Sequence, residues 1–415
     1  MKNLRMQQEM TDRGRLEIRV NARIQARPVS GARVTVSYTG DPQNVIEELI
    51  TDGDGRTETL DLATPPLEYS LEPNVNQPYS EYTVKVEAEG YEPVEVTGSE
   101  LLSGEQSVQQ VDLGPAEGAA FADVTIPDHT LFGEYPAKIP ESEIKPTWES
   151  GEIVLSRVVI PEYVVVHDGA PTDSTARDYY VRYRDYIKNV ACSEIYATWP
   201  DAAIRANILA IMSFTLNRVY TEWYRNKGYD FTITSSTAYD HKWIYGRNIF
   251  DSISLVVDEI FADYLSRPNV KQPILTQYCD GNRVSCPNWM SQWGSKNLAD
   301  QGYSTIQILR NYYGDNMYIN TAEEISGIPS SWPGYDLTIG SSGNKVLQMQ
   351  EQLNVIAEVY SSIPTVYENG YEETQDAVEA FQRLFGLPVS GIVDYPTWYK
   401  IQSIYVAVTR IAELQ

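Results

Sequence analysis

Apolar and polar positions in this chain follow two different periods. Between residues 14 and 114 they alternate singly in short runs: LEIRVNARIQ, ARVTVSYTG, EELITDGDG, YTVKVEAEGY and VEVTG, each bounded by Gly, Pro or Asp. Single alternation places every second side chain on one face, the pattern of half-buried strands. The segment TDGDGRT supplies residues suited to a tight turn and lacks the rest of a calcium loop, so it reads as a turn. These runs predict an all-β sandwich over 1–113. From 114 to 152 the pattern lapses into GPAEGAAFADV and KIPESEIKPTWESGE, a linker rich in Pro, Gly, Ala and Glu. Exposed small-residue segments of this kind are where proteases cut, and an activation cut is expected between Leu113 and Val124. The embedded stretch HTLFGEYPAKIP is less linker-like and is expected to dock on the domain that follows.

The period then changes. Strand-like IVLSRVVI and EYVVVHDG open a region 153–332 in which strands and helices mix, predicting an α+β domain. Ile187, Val190, Ala191 and Ile195 recur at helical spacing. Trp199-Pro200 breaks the chain, with Pro200 suited to a first helical position. A second helix carrying Ile204, Ile208, Ile211, Thr215 and Val219 is apolar almost throughout, is expected to be central and buried, and is expected to stop at Lys227-Gly228. DSISLVVDEIFADYL reads as a further helix. Residues 333–415 return to helical spacing, with Leu353 following Met349 and Phe381 following Val378.

Bulk properties narrow the function. At 415 residues the chain has length for two to three domains. Its formal net charge of −25 repels nucleic acid and anionic membranes. The N-terminal MKNLRMQQEMTDRGRLEIRV has no apolar core segment, so no secretory signal peptide is visible, and no run reaches membrane-spanning length. Tyr is frequent at 30, against 8 Phe. Tyr and Trp stack on sugar rings while keeping a polar handle, although half-buried strand positions account for most of the tyrosines.

Among candidate chemical groups, Glu194 stands out. It lies seven residues after Ile187, on the apolar stripe of its helix, where desolvation raises a carboxyl pKa and keeps the proton a general acid needs. A solvated helix-end carboxylate is the plain alternative. His167 ends a strand and reads as structural; Cys192 lacks an evident His partner and reads as packing. His241, Cys279 and Cys286 allow a zinc site, since thiolate and imidazole suit zinc, but the six-residue gap between the cysteines is loose and no fourth ligand is evident. A Cys279–Cys286 disulfide and two plain buried thiols stay open beside it.

Two blocks carry a resemblance. YIKNVACSEIYATWPDAAIRANILAIMSFT resembles the opening of the catalytic domain of the stage II sporulation protein D family, in which a catalytic Glu precedes Trp-Pro and an Ala-rich helix. MSQWGSKNLADQGYSTIQILRNYYGD is similar to the closing block of that family. Residues 337–401 resemble the three-helix peptidoglycan-binding domain through Gly340, Gly343, Val346, Thr374, Ala377, Val378, Phe381, Gln382, Gly391 and Asp394, with Met349-Gln350 in place of the usual Leu-Gln. Ten acidic and four basic residues between Asp336 and Gln415 rule out charge attraction to anionic wall polymers as the binding force. The N-terminal region has the look of a prealbumin-like sandwich, and the whole arrangement resembles the SleC-like spore cortex-lytic enzymes.

The resemblance implies a lytic transglycosylase with Glu194 as its single acid–base and no cofactor. It further implies Gln277, Tyr278, Gln292 and Trp293 as substrate contacts; should the enzyme instead be a hydrolase, Asp240 and Asp251 are the fallback second carboxylates. Spore cortex peptidoglycan is the implied substrate, and a subtilisin-like germination protease the implied activator that removes the N-terminal region. Synthesis in the mother-cell cytoplasm and deposition at the spore cortex or coat follow the same resemblance. The competing classes are an N-acetylmuramoyl-L-alanine amidase, for which three scattered histidines are a poor ligand set, and a non-catalytic wall-binding spore protein.

Overall fold

Single alternation builds two sheets in the N-terminal region. The computed structural model describes all residues except 1–10, 24–26, 74, 117–121, 134, 146–154, 329, 368–369 and 410–415. Nine strands are described before residue 126: β1 Asp12–Ala22, β2 Arg27–Pro28, β3 Arg33–Tyr38, β4 Asp41–Ile50, β5 Leu60–Thr64, β6 Ser80–Glu87, β7 Val94–Leu101, β8 Gln106–Leu113 and β9 Ala122–Thr125. One sheet runs β4-β3-β6-β7-β9; in the other β1 pairs with β8 on one side and with β2 and β5 on the other. The inward residues Leu16, Ile18 and Val20 of β1 pack with Val34, Val36, Val84, Val86 and Val96 of the facing sheet in one apolar cluster. The TDGDG turn is a turn: Gly55 has φ +72°, and a Cβ there would meet the Val20 carbonyl oxygen at 2.5 Å.

The sandwich does not end where its own chain does. A two-residue strand of the central region, Ile249–Phe250, pairs with Val108 and Ser107 of β8 and extends the sheet that holds β1 and β8. Glu100 on β7 accepts two hydrogen bonds from Arg247, both at 2.6 Å, and its Oε2 lies 3.1 Å from His129 Nδ1. All three side chains are buried, and the Arg247 guanidinium also donates to the Cys192 carbonyl at 2.6 Å.

The central helices form because their apolar positions have somewhere to go. Helix α1, Tyr183–Glu194, buries nearly its whole length. Helix α2, Asp201–Tyr220, is buried all round except at a few positions. It ends seven residues before the expected Lys227: Thr221 caps it and Glu222 takes φ 45°, turning the chain out of the helix. The expected helix DSISLVVDEIFADYL divides into α3, Asp251–Ile260, and a strand Asp263–Ser266 that pairs with Tyr318–Thr321. Strand Tyr163–His167 pairs with Asp178–Arg182 and Ile233–Thr234. Helices α4, Gln292–Asp300, and α5, Thr305–Tyr313, complete the region; a capping box at Ser304 and Gln307 starts α5.

Helices α6 Asn344–Ala357, α7 Tyr371–Leu384 and α8 Tyr395–Thr409 follow. A single apolar cluster runs from Tyr79 and Leu102 of the sandwich through α1 and α2 to Phe381 and Trp398. Among the described residues no helix is long and apolar enough to cross a membrane.

The expected linker 114–152 needs correction. β9 belongs to the sandwich, and Leu131, Tyr135, Lys138 and Lys145 are buried against the central region. The docking expected of HTLFGEYPAKIP therefore extends further, to residue 145. The expected cut region between Leu113 and Val124 includes residues 117–121, which lie outside the described residues.

Candidate active site

Glu194 is the last residue of α1 and is fully buried. Its Oε1 accepts the Lys242 backbone N–H at 2.6 Å, and its Oε2 accepts the Tyr278 hydroxyl. Burial raises its pKa. The negative end of the α1 dipole acts in the same direction. Opposing both, first the Lys138 ammonium and then the two hydrogen bonds favour the charged form.

Lys138 reaches this carboxyl from the docked segment. Its Nζ is buried without a hydrogen-bond partner and lies 4.5 Å from the ring centre of Tyr278 and 4.7 Å from that of Phe214. Burial pulls its pKa down to about 8, with Glu194 and Asp240 pulling the other way. Tyr135, from the same segment, is buried with an unpartnered hydroxyl and feels the Glu194 charge. The segment is held by Glu141, bidentate to Arg218 at 2.6 and 2.9 Å, and by the Ile139 N–H bonding the Ala238 carbonyl at 2.7 Å.

The other expected residues fall into three groups. Tyr278 joins Glu194 directly. Gln277 instead holds the docked segment: its amide donates to the Ile139 carbonyl at 3.0 Å and accepts the Glu141 N–H at 3.1 Å. Gln292 and Trp293 begin α4, directly after strand Met290–Ser291, which pairs with Tyr278–Cys279. Both Gln292 amide atoms and the Trp293 indole nitrogen are buried without partners. Such orphaned groups are rare in native proteins.

Asp240 is fully used by structure. It accepts Arg218 at 2.7 Å, the Tyr224 hydroxyl at 2.6 Å, and both the N–H and hydroxyl of Thr234 at 2.9 and 2.7 Å. Asp251 begins α3, where burial raises its pKa against the opposing charge of Arg19 of the sandwich.

The zinc alternative is corrected. Cys279 and Cys286 are joined in a disulfide, so neither offers a thiolate, and His241 Nδ1 lies 2.9 Å from the Tyr186 hydroxyl. Burial and the Lys138 charge hold His241 neutral, well below the usual histidine range. His167 is occupied on both nitrogens, by Asp178 at 2.7 Å and the Asp173 carbonyl at 3.1 Å. Cys192 accepts the Phe250 N–H at 3.3 Å, and burial pushes its thiol up to about 12, so it packs rather than attacks. Sequence reasoning did not find Lys138, Tyr135 or the Lys242 N–H. A backbone donor carries no sequence signal; Tyr135 lies in the stretch expected to dock, which suggested no chemical role, and Lys138 lies where that stretch runs into linker-like text.

Residues 342–401 match the peptidoglycan binding domain family. This supports association with the cell wall and peptidoglycan as a partner. No curated protein sequence matches the chain. Among solved structures, the TIE protein of Bacillus anthracis is similar at 18% identity and TM-score 0.18, over 25% of this chain and 17% of that one. The minor pilin GBS52 of Streptococcus agalactiae is similar at 11% identity and TM-score 0.18, over 28% of this chain and 49% of its own. The 5-hydroxyisourate hydrolase of Klebsiella pneumoniae is similar at 15% identity and TM-score 0.17, over 25% of this chain and 91% of its own. The chain thus spans less than half the length of the first two, and similarities at this level carry no argument about function.

Proposed function

We propose that the protein is a spore cortex peptidoglycan lytic transglycosylase, produced as a latent proenzyme and activated by proteolysis. The observation that carries this reading is one carboxyl group, Glu194, desolvated at a helix end and covered by a segment of its own chain. Hydrolysis of a glycoside ordinarily needs two carboxyl groups, whereas an intramolecular transfer needs one. Glu194 protonates the glycosidic oxygen between N-acetylmuramic acid and N-acetylglucosamine as the C1–O bond breaks. The muramic C6 hydroxyl then bonds to C1 and returns its proton to the Glu194 carboxylate, leaving a 1,6-anhydro end. No water enters the bond-breaking step.

Latency has an electrostatic side as well as a steric one. Lys138 favours the ionised carboxylate, the wrong state for an acid, so withdrawing it raises the Glu194 pKa further. Gln277 holds the backbone of the covering segment where the resemblance implies a substrate contact. Activation therefore requires displacement of residues 135–145, which a cut between Leu113 and Val124 does not by itself accomplish. A subtilisin-like germination protease, synthesis in the mother cell and deposition at the cortex or coat belong to the same proposal.

The test is mass spectrometry of fragments released from isolated cortex by protease-treated protein and by Glu194→Gln. Anhydro-muramic ends from the first and none from the second support the reading. Ordinary reducing ends would mean a hydrolase, and free stem peptides an amidase. Sedimentation with cortex but no released fragment would leave a wall-binding protein, the reading the peptidoglycan binding match alone supports.

A further inference from the structure

A cavity lies between the central region and the sandwich. It encloses about 460 Å³, within the roughly 300–1,000 Å³ of small-ligand sites. Three aromatic rings line it. Tyr179 lies against Tyr245 with ring centres 5.0 Å apart and planes at 28°, and against Trp243 at 5.2 Å. Tyr245 keeps 43% of its surface exposed. Trp243 is buried, yet its indole N–H has no acceptor. A buried Trp N–H ordinarily finds a partner.

The polar lining is mixed, with Arg177, Asn189 and Asp185 on the central side. Asn189 clamps the loop under Trp243 by bonding both the carbonyl and the N–H of Ile244, at 2.8 and 3.0 Å. That loop also carries the Lys242 N–H bound by Glu194, so the aromatic face and the candidate acid share one rigid support. The opposite wall is Val94, Val96 and Val124 of the sandwich, with Arg23, Glu92 and Asp112 beside them. Val124 comes so close that a Cβ on Gly246 would meet its Cγ1 at 2.4 Å. Were the rings only interdomain packing, they would fill the gap, and the indole would face a carbonyl.

We propose that Tyr179, Trp243 and Tyr245 form a saccharide subsite that takes an N-acetylated hexosamine ring of a glycan strand. The C–H face of the ring stacks on the exposed ring of Tyr245 and its neighbour Tyr179. Arg177 is placed for the hydroxyls. The inference builds on the proposed glycan substrate, and its position next to Lys242 makes it a site for a sugar flanking the bond broken at Glu194.

The test is calorimetric titration of the full chain with peptide-free tetra-N-acetylchitotetraose, comparing wild type, Tyr245→Ala and Trp243→Phe. The first substitution removes an exposed ring and the second keeps the packing, so circular dichroism should match wild type for both. The expected result is binding by wild type, at least tenfold weaker binding by Tyr245→Ala, and near wild-type binding by Trp243→Phe, whose lost N–H is closed off from the cavity. No binding by wild type, or equal binding by all three, overturns the subsite. The two proposals fail separately. Binding that depends on Tyr245 without anhydro product keeps the subsite and rejects the transglycosylase; anhydro product with unaltered binding by the variants does the reverse.

Discussion

At the scale of single residues, the question is what protonation state the Glu194 environment selects. Its pKa is raised in the folded protein, so its unfavourable contribution to stability is absent below the ordinary carboxyl range and grows as pH rises through it. Glu194→Gln removes that penalty. Its melting temperature should equal or exceed wild type at pH 8, with a smaller difference at pH 4. Activity should fall by about 10²–10⁴-fold in the same variant, the usual weight of a general acid. A Gln variant that melts well below wild type at pH 8 would show that the carboxylate is needed charged. Tyr278→Phe removes a donor that favours the charged form. In the activated enzyme the alkaline limb of the pH–rate profile should therefore move to higher pH, and a downward move would reject the assigned direction of that bond.

At the scale of elements, the ion cluster at the sandwich boundary sets how firmly two regions hold together. Glu100 and Arg247 are both buried, and removing one leaves the other uncompensated, a loss of about 3–5 kcal/mol. Arg247→Met and Glu100→Gln should each cost about that much in urea unfolding, and the double variant markedly less than their sum. Strict additivity would mean the pair is not coupled. Glu141 offers a pH counterpart. Its carboxyl is held down to about 2 despite burial, chiefly by Arg218, so it stabilises docking above the ordinary carboxyl range and loses this as pH falls towards 2. Glu141→Gln should lower the melting temperature at pH 7 and approach wild type as the pH nears 2. Proteolysis of residues 135–145 should quicken in the variant at neutral pH.

These elements also show what a sequence can carry. The stripe Ile187, Val190, Ala191 was enough to place Glu194 against the interior, because helical period is a local property. The strands β1, β3, β6 and β7 were legible for the same reason, as was the turn at Gly55. Leu60–Thr64 and Gln106–Leu113 lacked a clear bounded alternation, and β8 draws its outer partner, Ile249–Phe250, from far along the chain. Lys138 looked like linker because its composition is polar; only the fold shows its ammonium turned inward over Tyr278. The six residues between Cys279 and Cys286 left three states open, and strand Tyr278–Cys279 with the turn after it brings the two Cα atoms to 5.6 Å.

At the scale of the whole molecule, the sandwich is bound to the rest by more than the chain between them. Strand Ile249–Phe250 adds to its β1–β8 sheet, and Arg247 is buried against Glu100. Tyr79 and Leu102 join the apolar cluster of the central region, and Asn248 bonds both main-chain groups of Glu100, at 2.8 and 3.0 Å. A protease that opens the chain between Leu113 and Val124 breaks one covalent link and none of these contacts. The nicked halves should therefore co-elute on size exclusion in native buffer and separate in denaturant. Nicked protein should also stay inactive on cortex until residues 135–145 are removed or displaced, because Lys138 and Gln277 still hold the Glu194 pocket closed. A sandwich that elutes alone after a single nick would show that the shared sheet does not bind the halves. Full activity at that stage would show that the covering segment is not what keeps the enzyme latent.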